Sequence, residues 1–134
     1  MERITEDYVS FEVAKLLKEK GFDEACWSWY HNVNNTRTGT SRYRNSELER
    51  YDFSKPTLAH VMKWLRIEHN IHIEPHIVRT KRSYGYMPNY ININDLTQHF
   101  PFKEIDFCDL EKYVCMTYDK ACEVAIKYCL ENLI

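Results

Sequence analysis

The stretch from residue 56 to residue 78 constrains the fold most, because its hydrophobic period changes from that of a helix to that of a strand. Apolar residues first recur at spacings of three, four and seven, which predicts one buried helix face. These residues are Leu58, Val61, Met62 and Leu65, and Ala59, Trp64 and Ile67 widen the face. Pro56 suits a first turn, and Thr57 or Ser54 can cap the helix. Asn70 can end it, because asparagine tolerates the left-handed conformation.

From Ile71 to Arg79 apolar and polar residues alternate, which is the period of a strand with one apolar face. The apolar side is formed by Ile71, Ile73 and Ile77, and the polar side by His72, Glu74 and His76. Such a strand lies with its apolar face on a helix and its polar face toward water. The sequence therefore predicts a helix that leads directly into a half-buried strand.

The first 55 residues predict a helix, a strand and a long polar segment. The helix runs from Ser10, a natural N-cap, to Lys20, with Val13, Ala14, Leu16 and Leu17 on its buried side. Gly21 supplies a left-handed end, and Phe22 can fold back onto Leu17. Aromatic enrichment over Cys26–Tyr30 favours a strand. Residues 32–55 are rich in Asn, Thr, Ser and Arg, which predicts a mobile loop or an extended hairpin arm.

The second half predicts two more strands and a helix. After a turn at residues 80–83, a strand over Tyr84–Ile93 alternates again, and Pro88 favours an edge or a bulge within it. Its two sides are Met87, Ile91 and Ile93 against Tyr86, Tyr90 and Asn92. Residues 94–110 are predicted to be irregular, and a short third strand is predicted at Tyr113–Met116. A last helix, capped by Thr117, runs to about Leu133. Its inner stripe is Ala121, Cys122, Ala125, Ile126, Cys129 and Leu133.

These elements predict an α+β domain of two layers, in which helices cover a small antiparallel sheet of about three strands. The order is α-β-(long loop)-α-β-β-β-α. At 134 residues the chain is expected to form a single domain, 1–134, with the polar loop or arm at about 32–55.

The composition limits which classes of function are plausible. The chain has only three glycines, and this scarcity argues against a phosphate-cradling loop. The net charge is −2, but residues 32–82 hold ten basic and five acidic side chains, a centre of +5 between acidic ends. The five cysteines show no paired spacing and suit a reducing cytoplasm. The charged start, Met1–Asp7, predicts no secretory signal, and no apolar run is long enough to span a membrane.

The blocks Tyr8–Glu24, Met62–Arg66, Asn70–Ile73 and Ala125–Ile134 carry a resemblance that covers most of the chain. There the sequence resembles small uncharacterised proteins of Bacteroides-type gut bacteria and of their phages, including crAss-like phages. That group has no assigned activity. The resemblance implies an accessory protein of a phage or mobile element that works in a bacterial cytoplasm.

The order α-β-β-β-α from Thr57 onward also resembles that of the double-stranded RNA-binding domain. The last helix of that domain typically opens with Ser-Lys-Lys and continues with alanines four residues apart. Thr117 keeps the cap, and Ala121 and Ala125 keep the alanine spacing. Tyr118 and Asp119 replace the two lysines that clamp phosphates, so the resemblance implies a shared architecture.

Two groups of residues are candidate sites. His72, Glu74 and His76 share a predicted strand face, and two histidines with a carboxylate are a recurrent metal-ligand set. An amphipathic strand explains the same spacing, so no metal site and no cofactor are assigned. The second group mixes basic and aromatic residues, which suits protein hot spots and phosphate contacts equally. It consists of Arg42, Tyr43 and Arg44 in the long segment and of Lys81, Arg82 and Tyr84 at the later turn.

Catalytic motifs are missing from the sequence, since there is no His-Glu-x-x-His, no phosphate loop and no motif-embedded Ser or Cys nucleophile. The sequence therefore favours a non-catalytic module that binds a host or phage protein through the basic and aromatic residues. Nucleic-acid binding through the +5 centre is the alternative, and a metal-dependent enzyme at His72, Glu74 and His76 is a third.

Overall fold

The computed structural model describes residues 4–33, 35–79, 83–94, 97–99 and 114–134. Among these residues it has three helices, which are α1 (Phe11–Glu19), α2 (Leu58–His69) and α3 (Tyr118–Asn132). The strands are β1 (Cys26–His31), β2 (Asn35–Tyr43), β3 (Asp52–Ser54), β4 (Ile71–Ile73), β5 (His76–Arg79), β6 (Tyr84–Met87), β7 (Tyr90–Asn92) and β8 (Thr97–His99). They form antiparallel sheets in the orders β2-β1-β3, β4-β7-β8 and β5-β6. The predicted α+β class is confirmed.

Local sequence sets both ends of α1 as predicted. The Ser10 hydroxyl accepts a hydrogen bond from the Val13 N–H at 3.4 Å. At the other end Gly21 has φ +89°, the left-handed conformation that ends helices. The Phe22 N–H donates to the Leu17 carbonyl oxygen at 2.9 Å, and the buried Phe22 side chain joins the core. These contacts fix the direction in which the chain leaves α1 toward β1.

The polar segment at 32–55 is the hairpin arm rather than a loop. β1 and β2 pair antiparallel across a turn that begins at Asn32, which has φ 58°. Further along, β2 carries extra residues opposite β1, because the register passes from Ser28–Thr38 to Cys26–Tyr43. A single 3-10 turn over Asn45–Glu47 leads back to β3 on the other side of β1.

The helix α2 is capped at Thr57 and ends at Asn70, which has φ 54°, as predicted. Its buried residues are Leu58, Val61, Trp64 and Leu65. Ala59 is exposed, and Ile67 is 63% exposed, so the predicted widening of the face by these two residues is wrong. They lie on the side of α2 that faces solvent, and only Trp64 extends the buried stripe.

The two predicted strands of the second half are each broken at a proline. Residues 74–75 separate β4 from β5, and residues 88–89 separate β6 from β7. Each break shifts the alternation of buried and exposed side chains by one residue. Proline cannot continue a hydrogen-bonded ladder, and one extra residue moves every side chain after it to the opposite face of the sheet. Ile77 is therefore 71% exposed and Ile93 is exposed, whereas Tyr90 is buried. The predicted faces of both strands are wrong beyond the breaks.

Asn89 holds the two breaks together. Its side chain is fully buried, and Nδ2 lies 3.1 Å from the Glu74 carbonyl oxygen and 3.0 Å from His76 Nε2. The Glu74 N–H donates to the Asn89 carbonyl oxygen at 3.0 Å. The interruption in one strand therefore faces the interruption in the other.

The predicted third strand is reduced to one bridge in the described residues, in which Cys115 and Tyr86 exchange two backbone hydrogen bonds of 2.8 Å. Tyr113 lies outside the described residues. Gly85 permits this approach, because a Cβ there would overlap the Val114 side chain and lie 2.9 Å from the Cys115 carbonyl oxygen.

The last helix lies at the centre of the core and packs against α1, α2, β4 and β6. Its buried residues are Ala121, Cys122, Ala125, Ile126, Cys129 and Leu130. Leu133 is 43% exposed, so Leu130 rather than Leu133 completes the inner stripe. None of the helices in the described ranges combines the length and apolarity that a bilayer crossing requires.

Candidate functional site

The residues predicted to bind a partner lie in two different sheets. Arg42 and Tyr43 end β2, and Arg44 follows them, whereas Tyr84 begins β6. Lys81 and Arg82 lie outside the described residues. Arg42 is exposed, but Arg44 has a structural role, since its Nη1 donates to the Asp23 carbonyl oxygen at 3.1 Å. The predicted set is thus divided, and Arg42 with Tyr43 is the part that lies on the first sheet.

The face of the first sheet around β2 carries a closed aromatic pair. The Trp29 and Tyr43 rings meet edge to face with centroids 5.5 Å apart. Both rings cover Gly39, where an added Cβ would lie 3.0 Å from Trp29 and 3.1 Å from Tyr43. Arg37 stands opposite Trp29 in the ladder. The absence of a side chain at Gly39 therefore allows the Trp29 and Tyr43 rings to contact each other over β2, next to Arg37.

The edge of the first sheet at β3 is closed by hydrogen bonds. The Ser54 N–H donates to Asn45 Oδ1 at 2.9 Å, and Lys18 Nζ donates to the Asp52 carbonyl oxygen at 2.8 Å. The Asp52 N–H in turn donates to the Glu49 carbonyl oxygen at 3.0 Å. Three of the four backbone groups of Asp52 and Ser54 that point away from β1 are thus paired.

The opposite edge, at β2, is open. Within the described part of the chain, β2 pairs only with β1. The backbone N–H and C=O groups of Asp52 and Ser54 point away from β1 at the β3 edge. Because hydrogen-bonded and non-hydrogen-bonded pairs alternate along an antiparallel ladder, the backbone groups of Thr36 and Thr38 point away from β1 at the β2 edge. The sequence pattern indicates the arginines of this segment but not its open edge.

A groove of about 690 Å³ lies between α1 and the first sheet. Its apolar wall contains Phe11 and Phe53, whose rings meet edge to face at 5.5 Å, and Tyr51 and Val33 stand at the wall. Tyr51 is 69% exposed and Val33 is 61% exposed. The wall therefore offers aromatic and aliphatic surface to whatever enters the groove.

Basic groups line the same groove. Lys15 and Lys18 come from α1 and Arg50 precedes β3, and among the described lining residues the only carboxylate is that of Glu19. Lys18 Nζ lies 5.3 Å from the centre of the Phe53 ring. Burial lowers the pKa of Lys18, and the nearby Asp52 carboxylate opposes that shift. The sequence signal for this wall is the spacing of Phe11, Lys15 and Lys18, which places them on one helix face.

His31 and Asp52 form a pair that the sequence did not reveal. They stand opposite each other in the ladder of β1 and β3, and His31 Nδ1 donates to Asp52 Oδ1 at 2.9 Å. Trp29, Arg37 and Tyr43 line the same shallow cavity of about 250 Å³. The pair orients the imidazole and joins two strands, which is what a cross-strand pair of opposite polarity does in any sheet.

The structure does not bring the candidate metal ligands His72, Glu74 and His76 onto one face. The break at residues 74–75 reverses the alternation, so that His76 follows the face opposite to His72. His76 Nε2 is also engaged by Asn89. Among the described residues, no three His, Cys, Asp or Glu side chains come together as a possible metal site.

Burial makes the described thiols weak acids. It raises the pKa of Cys26 and of Cys122 to about 11 and that of Cys129 to about 12, from an ordinary value of 9.0. Burial also raises the pKa of Cys115. Because the thiolate is the reactive form, the buried Cys26, Cys122 and Cys129 suit packing in the core better than nucleophilic chemistry.

Alkylation of the native protein should reflect these pKa values. At pH 8, iodoacetamide is expected to modify Cys26, Cys122 and Cys129 at least about 100-fold more slowly than in urea, because the thiolate fraction falls tenfold for each unit of raised pKa. Mass spectrometry of tryptic peptides measures each site separately. Rapid native labelling of Cys129 would contradict its burial.

The same shifts give a direction for stability against pH. The native state keeps these thiol protons between pH 9 and about 12, where the unfolded chain has lost them. The free energy of unfolding should therefore fall as pH rises through this window.

Comparison with known proteins finds no family model, no curated protein and no solved structure that matches the chain. The resemblances to gut-bacterial and phage proteins and to the double-stranded RNA-binding domain stay predictions.

Proposed function

We propose that the chain is a non-catalytic binding module that takes an extended segment of a partner protein along the open edge of β2. The observation that carries the proposal is the contrast between the two edges of the first sheet. At β3 a lysine, an asparagine and a turn cover three of the four outward backbone groups of Asp52 and Ser54, whereas β2 has no such cover among the described residues. Proteins normally shield such edges, because an open one pairs with another chain.

Backbone pairing would supply affinity, and side chains would supply selectivity. Thr36 and Thr38 offer the outward N–H and C=O groups. Arg37 and Arg42 then flank the incoming strand. Arg37 shares a cavity with the Trp29 and Tyr43 rings, and Arg42 shares one with Trp27. Arginine and tyrosine are frequent among the residues that dominate binding energy at protein interfaces.

Charge indicates the kind of partner. Residues 35–44 contain three arginines and no carboxylate, so an acidic segment is complementary. A second copy of the chain is disfavoured, because pairing two β2 segments would bring their arginines together without a carboxylate from either segment. Such a juxtaposition of like charges across an interface is destabilising. The resemblance to phage proteins supports a role as an accessory protein with a host or phage partner.

Nucleic acid is the second candidate, because the same arginines could contact phosphates and the exposed Trp27, which lines a cavity with Arg42, could stack on a base. Such binding would weaken steeply as salt rises. Strand pairing is favoured because it also accounts for the uncovered backbone of Thr36 and Thr38.

Two single substitutions test the edge by pull-down from a bacterial lysate. Thr38→Pro removes one outward N–H, and Arg42→Glu reverses one charge. Both are expected to lose the captured protein, whereas Lys63→Glu, on an exposed position of α2, should retain it. Circular dichroism confirms that each variant folds.

Identical captured proteins for all four chains would exclude β2 as the binding edge. Nuclease treatment separates the two candidate functions. If it releases the captured material, the arginines bind nucleic acid and the proposal of a protein partner fails.

A further inference from the structure

None of the described residues that line the groove between α1 and the first sheet belongs to β2. Its volume of about 690 Å³ falls within the range of pockets that hold small organic ligands, about 300–1,000 Å³. Its lining comes from α1, from the turn after β1 and from the segment that leads into β3. A groove formed where separate elements meet has walls that the fold itself holds in place.

One wall of the groove suits a planar ring. Phe11 and Phe53 meet edge to face, and Tyr51 adds a third, exposed ring. Aromatic rings prefer offset or edge-on contact with one another, and such contacts add to the burial of apolar surface. The exposed Val33 and Tyr51 side chains would both lose contact with water when a ring enters.

The charges in the groove have one predominant sign. Lys15, Lys18 and Arg50 outnumber the single carboxylate of Glu19. Lys18 donates two of its three ammonium protons, to the Glu49 carbonyl oxygen at 2.9 Å and to the Asp52 carbonyl oxygen at 2.8 Å. The third proton has no acceptor among the described residues. An anionic group in the groove would accept it and would pair with Lys15 or Arg50.

We propose that this groove binds an aromatic anion, that is, a small planar ring carrying a carboxylate, sulfonate or phosphate. Neutral aromatic compounds would fill the wall but would give the third Lys18 proton no acceptor and the Lys15 and Arg50 charges no counter-ion. Cationic compounds would meet three like charges. The site does not depend on the proposed function of β2.

A matched pair of fluorescent probes tests the proposal. 8-Anilinonaphthalene-1-sulfonate is an aromatic anion, and N-phenyl-1-naphthylamine has the same rings without the sulfonate. The sulfonate is expected to bind the native protein at one site and about tenfold more tightly, which corresponds to about 1.4 kcal/mol. The variant Lys15→Gln/Arg50→Gln should abolish this preference, and Lys63→Gln should keep it. Tyr51→Ala should weaken both probes.

The comparison is made at a pH where circular dichroism and near-ultraviolet spectra show the native fold, since partly unfolded chains bind both probes without selectivity. Equal affinity for the two probes would overturn the proposal, and so would a preference that survives the double variant. The Lys15→Gln/Arg50→Gln variant should still capture the partner of β2, because the groove and the edge are separate surfaces. The Thr38→Pro pull-down therefore tests only the proposed binding edge of β2, and the probe measurements test only the groove.

Discussion

Replacing Asn45 with alanine is expected to lower the free energy of unfolding by about 2–5 kcal/mol, because a buried acceptor and a buried donor each lose their partner. Asn45 is 4% exposed. Its Nδ2 donates to the Phe22 carbonyl oxygen at 2.8 Å, and its Oδ1 accepts from the Ser54 N–H at 2.9 Å. The side chain therefore joins the end of α1 to β3.

Urea denaturation followed by tryptophan fluorescence measures this effect. Asn35→Ala is the matched control, because Asn35 is exposed at the start of β2 and should change stability by less than about 0.5 kcal/mol. Equal midpoints for the two variants would show that the bonds of Asn45 contribute nothing. Asn45→Asp should also destabilise, since it keeps the acceptor but buries a charge and loses the donor.

Helix ends were predictable because their signals are local. Ser10, Gly21, Thr57 and Asn70 each act on a backbone group within a few residues, so the sequence alone identifies the cap. Strand faces were predictable only as far as the first interruption. Pro88 signalled a bulge, but the phase that follows a bulge depends on the facing strand, here on the position of Asn89 opposite Glu74.

The first sheet was only half predicted. Thr36, Thr38 and Thr40 alternate through β2, a strand signal that the abundance of Asn, Ser and Arg obscured. β3 has only three residues and depends on Asn45 and Lys18 for its position, so no local pattern marks it.

The candidate surfaces show the same limit. Arg42 and Tyr43 could be selected from the sequence because they are neighbours. The groove could not, since Phe11, Val33 and Tyr51 are far apart in the chain and meet only when α1 packs on β3. Likewise, His31 and Asp52 are paired by strand register, which the sequence does not fix for a segment of such mixed composition.

Ala125→Leu should cost about 1–3 kcal/mol of stability, because the added carbon atoms have no space to occupy. Ala125 is fully buried, and Ala121 and Cys129 lie one turn away on either side, both also without exposure. Small residues at this spacing let α3 approach α1, α2 and β4 closely. Protein interiors are packed as densely as organic crystals, so a leucine must displace a helix or adopt a strained rotamer.

The contrasting variant is Lys127→Leu, two residues further along α3. Lys127 keeps its side chain partly in water, and its Nζ lies 2.7 Å from the Glu12 carboxylate of α1 and 3.8 Å from that of Glu131. Exposed ion pairs contribute little, so this substitution should destabilise clearly less than Ala125→Leu. Chemical denaturation of the two variants side by side decides between the faces. A larger loss at Lys127 would mean that α3 turns its other side to the core, and the packing of α1 and α2 against it would then be wrong as well.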